Sequence, residues 1–325
     1  MTFLAHETWF TDMTPSDWSF AFQAATLAML GVAVAITVGV RLLATRFPGV
    51  DVPFVARLSP WMPFAVRMHL AVSLIGLLSL GYYLSPAMDL EANVGGIALG
   101  ATMAVVAISM ATGWNARAGA LLLVAAGPLG MIEFGVSPVL QRVDVLGLAC
   151  FVLLTGPGRW SADFELGRAF EPSIEAKARA IWCLRIAAGS ALIIVAFVEK
   201  LANPDLALHF LAEHPDFNVA QLVGIHLDDL EFVRLAGAIE VLFGLLVISG
   251  ALPQACVLIA GIPFNATLYF FGNTELVGHL PIYGAMLVLL VYGSDPQLRP
   301  AVSALWPWGA SVARARHRAQ ASPAS

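Results

Sequence analysis

Nine runs of apolar sequence, most of them about long enough to cross a lipid bilayer, are separated by loops whose charge alternates in sign. A spanning helix needs about 20 mostly apolar residues. Such runs lie at roughly 20–42, 63–83, 93–112, 118–135, 141–157, 180–201, 231–250, 253–272 and 279–294. The fifth and ninth are short, and the ninth can start earlier. Only 12% of the 325 residues are charged and 59% are hydrophobic, with a mean hydropathy of +0.80. A soluble chain is about 25% charged. Inside lipid each backbone N–H and C=O must be satisfied within the chain, so long apolar runs form helices. The expected fold class is an all-α integral membrane protein with about nine transmembrane helices.

The loops fix an expected orientation. One set carries Arg41, Arg46, Arg57, Arg117, Arg159, Arg168, Lys177, Arg179, Arg299 and the tail cluster Arg314, Arg316 and Arg318. The other carries Glu7, Asp12, Asp17, Asp89, Glu91, Asp205, Glu213, Asp216, Asp228 and Asp229. The excess of Lys and Arg on cytoplasmic loops then puts the N-terminus outside and the C-terminus in the cytoplasm, which an odd number of spans satisfies. The net charge of −5 hides this segregation. No basic tract points to nucleic acid. Cys150, Cys183 and Cys256 lie in apolar runs without a CxxC pair, against a disulfide framework or a zinc site. The acidic N-terminus lacks the basic start of a cleavable signal peptide. No phosphate loop, dinucleotide fingerprint or nucleophile elbow occurs, so there is no flavin or nucleotide signature. No pair of in-membrane histidines is placed to ligate haem.

Internal repetition organises the chain. Gly113, Gly135, Gly147 and Gly156 recur 137 residues later as Gly250, Gly272, Gly284 and Gly293, and Arg67 opens the second run much as Arg185 opens the sixth. The expected division is an outer tail and extra helix over 1–60, a degenerate four-helix repeat over 61–157, and a cytoplasmic linker over 158–179. A second four-helix repeat over 180–296 and a basic tail over 297–325 follow. Both copies start from the same side, so the repeats are parallel, about an axis along the membrane normal.

The second copy keeps the polar residues. Ionisable groups at membrane depth are costly, and each is a candidate site. Glu240 lies nine residues into its run, about 14 Å deep at 1.5 Å per residue. Either it handles protons or it is a neutral acid bonded to a neighbouring helix. Glu199 and Lys200 are adjacent, and on an α-helix neighbours point about 100° apart. Lys200 reads as an interfacial anchor whose stem lies along apolar surface, and Glu199 as a partner of Arg234, which begins the next run on the same side. Glu275 and His279, four apart, share a helix face. Asn265 is a hydrogen-bonding group in the outer half of its run. In the first copy Arg142, at the position of His279, pairs with Asp144 near the interface, beside Glu133. His209, His214 and His226 sit in the long outer loop 202–230 without a recognised metal spacing, and no metal ligand set is assigned.

The segments "LRIAAGSALIIVAFVEKL", "LAGAIEVLFGLLVISG" and "TLYFFGNTELVGHLPIYG" resemble the DoxX family of small four-span membrane proteins. The resemblance covers residues 182–294 well and the first copy weakly. It implies a four-helix fold, a bacterial inner membrane and a redox-linked neighbourhood, since similar proteins include a subunit of a thiosulfate:quinone oxidoreductase. The duplication and the long outer loop depart from the minimal family form. The expectation is a quinone-interacting membrane subunit with its site toward the outer face. Glu240, Glu275 and His279 would handle protons, while Glu199, Lys200, Arg234 and Asn265 would position the head group. A soluble or periplasmic redox partner at loop 202–230 would supply electrons, because the chain shows no redox centre of its own. The alternatives are a cation, metal or small-solute carrier, and a membrane scaffold without chemistry.

Overall fold

The computed structural model describes residues 16–222, 224–271 and 273–308. Glu7, Asp12 and the tail arginines lie outside the described residues. Ten helices carry the architecture: α1 (Ala24–Arg46), α2 (Met62–Ser79), α3 (Val94–Thr112), α4 (Ala116–Phe134), α5 (Val143–Thr155), α6 (Ile174–Ala196), α7 (Pro204–Glu213), α8 (Asp229–Ser249), α9 (Pro253–Phe271) and α10 (Asn273–Ser294). Among the described residues there is no strand, only an isolated bridge between Tyr82 and Asp89. Among the described residues, seven helical stretches are long and apolar enough to cross a membrane: Ala24–Arg46, Pro53–Ser79, Val94–Thr112, Ala116–Phe134, Ile174–Leu201, Asp229–Ser249 and Leu276–Ser294. Two more of the expected runs form shorter apolar helices, Val143–Thr155 and Pro253–Ala266. This is the architecture of a multi-pass helical membrane protein.

Local chemistry sets the helix ends. The side chains of Asn93, Ser173 and Asp228 accept from the N–H groups of Gly96, Ala176 and Glu231, capping α3, α6 and α8. An N-cap of this kind satisfies a donor that the helix leaves open. The Ser173 cap starts α6 six residues before the expected boundary at 180, so the last six residues of the expected linker 158–179 belong to α6. The segment 202–230 is also partly helical, holding α7 and two short turns, Pro215–Phe217 and Val219–Leu222.

Helices α2, α3, α4 and α5 pack in sequence, with α2 also against α5. Helix α6 packs on α8, and α9 on α10. The two sets are joined by α5 on α6 and by α2 on α10, while α1 lies outside against α8. The main core runs through both sets, from Leu70 and Met103 to Leu184 and Tyr292. Helices α6 and α8 approach backbone to backbone. A Cβ on Gly189 would stand 2.6 Å from the Gly244 carbonyl oxygen, and one on Gly244 would stand 2.7 Å from that of Gly189. Small residues at such crossings let van der Waals packing and hydrogen bonding replace the hydrophobic drive that lipid removes.

Two buried arginines close the basic end. Arg67 donates to the carbonyls of Met110, Pro157 and Trp160 at 2.5–2.8 Å. Arg185 donates to those of Val247, Ile248, Val302 and Ala304 at 2.5–3.0 Å. Each guanidinium thus satisfies the last turn of a neighbouring helix together with the chain beyond the final helix of its set. Beside each lies a glycine in the left-handed region, Gly113 (φ 68°) and Gly250 (φ 67°), ending α3 and α8. A Cβ at Gly250 would come within 2.5 Å of Arg185 Cζ, and one at Gly113 within 2.7 Å of Arg67 Nη1.

Candidate functional site

The last turn of α6 does not stay α-helical. Residues Phe197–Leu201 form a π-helix, and the Ala202 N–H reaches back to the Phe197 carbonyl at 2.7 Å. A π-turn accommodates one extra residue and recurs at functional sites. Asn203 and Pro204 follow, and Pro204 opens α7.

This turn brings Glu199 and Lys200 into one site. The Lys200 ammonium lies 3.0 Å from Glu240 Oε1 on α8 and 3.6 Å from Glu199 Oε2. Adjacent residues share this site because the long Lys200 side chain reaches both carboxylates. Lys200 is only 8% exposed and Glu199 6%, so Lys200 is not an interfacial anchor: its ammonium is held inside by two carboxylates. Glu240 is more open, with 31% of its side chain exposed. Its Oε2 nevertheless is buried and has no hydrogen-bond partner among the described residues. On the same helix Leu235 and Ile239 are exposed, so Glu240 is approached along apolar surface.

The acidic end of the site is lidded. The Asp17 N–H donates to the Ala202 carbonyl at 2.8 Å, and Trp18 stacks on Phe197 at 5.8 Å. Phe20 and Ala21 bury with Ala196, Leu201, Ala207, Leu211, Val233 and Val241. Helix α7 contributes its apolar face to the same cluster, which is why this outer segment is folded. Leu201 fits against Gly237, where a Cβ would stand 2.7 Å from its Cδ2. The side chain of Asp17 accepts from the N–H and hydroxyl of Ser19, which pulls its carboxyl below the usual carboxylate range.

The remaining expected site residues are elsewhere. Arg234 does not pair with Glu199. It bonds Glu231 one turn away, Gln23 Oε1 at 2.6 Å and Thr26 Oγ1 at 3.0 Å, with its guanidinium over the Phe20 ring. It therefore clamps α1 and the N-terminal turn to α8. Asn265 is exposed and donates to the Gly261 carbonyl of its own helix at 2.6 Å, which spends its amide donor on α9. The His279 ring meets Phe264 edge-on at 5.1 Å and Tyr283 at 6.2 Å. The Glu275 side chain lies outside the described residues. Glu240 has Lys200 as its partner. Arg142 stands 3.7 Å from Asp144, as expected, and also donates to the Gly278 carbonyl at 2.8 Å. Among the described residues, no three His, Cys, Asp or Glu side chains are grouped to share a metal ion.

Sequence reasoning missed the lid and the clamp. Gln23 and Thr26 were the available signal: two polar residues in the first turn of an otherwise apolar span. Comparisons with known proteins return no match, whether to family models, to curated proteins or to solved structures.

Proposed function

We propose that this protein is an inner-membrane subunit that exchanges protons with a quinone-like, lipid-soluble redox molecule at Lys200, Glu240 and Glu199. The observation that carries the reading is the Lys200 ammonium between two carboxylates, one of which presents a buried oxygen with no protein partner. A buried charge must be paired or neutralised. Two carboxylates share this ammonium, so the site is suited to hold and release one proton. The unpartnered Glu240 oxygen fits a hydroxyl of a reduced head group, which would donate to it. The exposed Leu235 and Ile239 fit the apolar body of a molecule arriving from lipid. A quinone, when bound, would supply the electron-carrying chemistry. Lys200 orients both carboxylates, and the lid of Trp18, Phe20 and α7 keeps water from the outer side. Electrons would come from a partner docking near 202–230.

The same proposal includes nine spans, as two parallel four-helix repeats plus α1, with the N-terminus outside. The paired locks of Arg67 with Gly113 and Arg185 with Gly250 support it, because each occupies the same place in its set. The reciprocal packing of α2 on α10 and α5 on α6 supports it too. Kinship with DoxX-like proteins rests on the quoted motifs in residues 182–294.

The test is the quinone content of detergent-purified protein, for wild type, Glu240→Gln, Lys200→Met and His279→Ala. Near-equimolar quinone in wild type and His279→Ala, lost in the other two, is expected. Equal background quinone in all four would sink the reading. The two carboxylates also favour a second reading, cation carriage, which would appear in those samples as a Glu240-dependent cation and no quinone.

A further inference from the structure

At the basic end, a small cleft, open to solvent, lies between the start of α2, the chain after α5 and the start of α6. Its floor includes Tyr292 of α10, which is 1% exposed and whose hydroxyl has no hydrogen-bond partner among the described residues. A buried hydroxyl without a partner costs free energy, so its retention beside an open cleft marks a place where something else completes it. Two cations line the same cleft. Lys177 is mostly buried and is held 3.4 Å from Glu171, itself 79% exposed. Arg159 is exposed, at the mouth. The nearby carboxylate of Asp295 is already engaged, accepting from the Ser59 hydroxyl and the Gln297 N–H at 2.9 Å each. The rim carries Phe164 and Phe170, both exposed.

We infer that this cleft binds the phosphodiester head group of an anionic lipid, with Lys177, Arg159 and the Tyr292 hydroxyl on the phosphate oxygens. Two cations and a phenol hydroxyl line one opening, which suits a phosphate rather than a neutral ligand. Glu171 then acts as a placeholder: its carboxylate occupies Lys177 until a phosphate displaces it outward into solvent. Phe164 and Phe170 flank the mouth where glycerol and acyl groups would leave, so a lipid fits the rim better than free phosphate does.

The experiment uses the full chain, delipidated in micelles, and reads thermal stabilisation by short-chain phosphatidylglycerol, short-chain phosphatidylcholine and inorganic phosphate. Phosphatidylglycerol is expected to bind at least tenfold tighter than phosphatidylcholine. Tyr292→Phe should melt no lower than wild type without lipid, because only an unpartnered hydroxyl is lost, yet bind phosphatidylglycerol about three- to tenfold more weakly. Lys177→Gln should weaken it further, and Glu171→Gln should strengthen it by freeing the ammonium. Unchanged affinity in Tyr292→Phe and Lys177→Gln overturns the proposal. Stabilisation by inorganic phosphate with the same variant dependence, and none by the lipid, overturns the lipid assignment and gives the cleft to a soluble phosphate compound.

Discussion

Replacing Lys200 by Met tests the charge arithmetic of the buried site directly. The ammonium is 3.0 Å from Glu240 and 3.6 Å from Glu199. At an effective dielectric of about 20, these distances correspond to gross attractions of roughly 5 kcal/mol each, before the desolvation that offsets most of them. Met keeps the volume of the stem and removes the charge, leaving two carboxylates facing each other. Removing one partner of a buried pair costs about 3–5 kcal/mol. Glu240→Gln has a different outcome, because Lys200 and Glu199 remain as a neutral pair and the new amide oxygen still accepts from Lys200. Its expected cost is about 1 kcal/mol, that of weakening one hydrogen bond. The double variant leaves one carboxylate, which can be carried protonated, and should recover part of the Lys200→Met loss. Unfolding in detergent can be followed with a thiol-reactive dye, since Cys256 is buried and Cys150 and Cys183 are half-buried. For a chain of this size about 1 kcal/mol corresponds to roughly 2 °C. Lys200→Met should therefore melt about 6–10 °C lower and Glu240→Gln about 2 °C lower. Equal losses in the two single variants would refute the reasoning, because the Lys200 charge would then matter no more than one hydrogen bond to Glu240.

Other outcomes follow from the packing. Gly250→Ala should cost well over the roughly 1 kcal/mol of left-handed strain, because its Cβ would collide with Arg185; Gly81→Ala, at φ 86° with nothing within 4 Å, should show the strain alone, as measured by the same melts. Gly189→Leu should separate α6 from α8 and abolish quinone or cation retention along with stability, whereas the exposed Gly31→Leu, with open space around it, should change neither. Asp228→Ala removes the α8 cap and should cost about 1 kcal/mol, read by melting. Trp18→Ala should leave the fold standing and speed hydrogen exchange at the adjacent Asp17, whose N–H donates to the Ala202 carbonyl.

Much of the architecture was legible because lipid leaves few options. Runs of apolar residues become helices, and all of the nine expected runs appear as helix, two of them short. The site was legible only in part. Glu240, Glu199 and Lys200 stood out as costly groups, but their convergence depends on how α6 and α8 are rotated against each other, which periodicity within one run does not give. Arg234 was assigned to Glu199 because both lie at the same end of their helices. Its real partners, Gln23 and Thr26, come from the span that the repeat leaves out, and Glu231 sits one turn away at i,i+3. The buried arginines show a further limit. Arg67 and Arg185 looked like span openers, whereas their acceptors are backbone carbonyls whose positions no side-chain pattern encodes.

Those arginines also dictate an order of assembly during synthesis. The acceptors of Arg67 lie at Met110, Pro157 and Trp160, so the first half can be sealed as soon as its fourth helix has left the ribosome. Two of the four acceptors of Arg185 are Val302 and Ala304, more than a hundred residues downstream. Until they arrive, Arg185 has only Val247 and Ile248 as acceptors, and the rest of its guanidinium is left to water. The chain therefore finishes inserting before it finishes closing. A stop codon after residue 300 would leave every apolar helix intact and still yield a protein whose second half stays open to quality control.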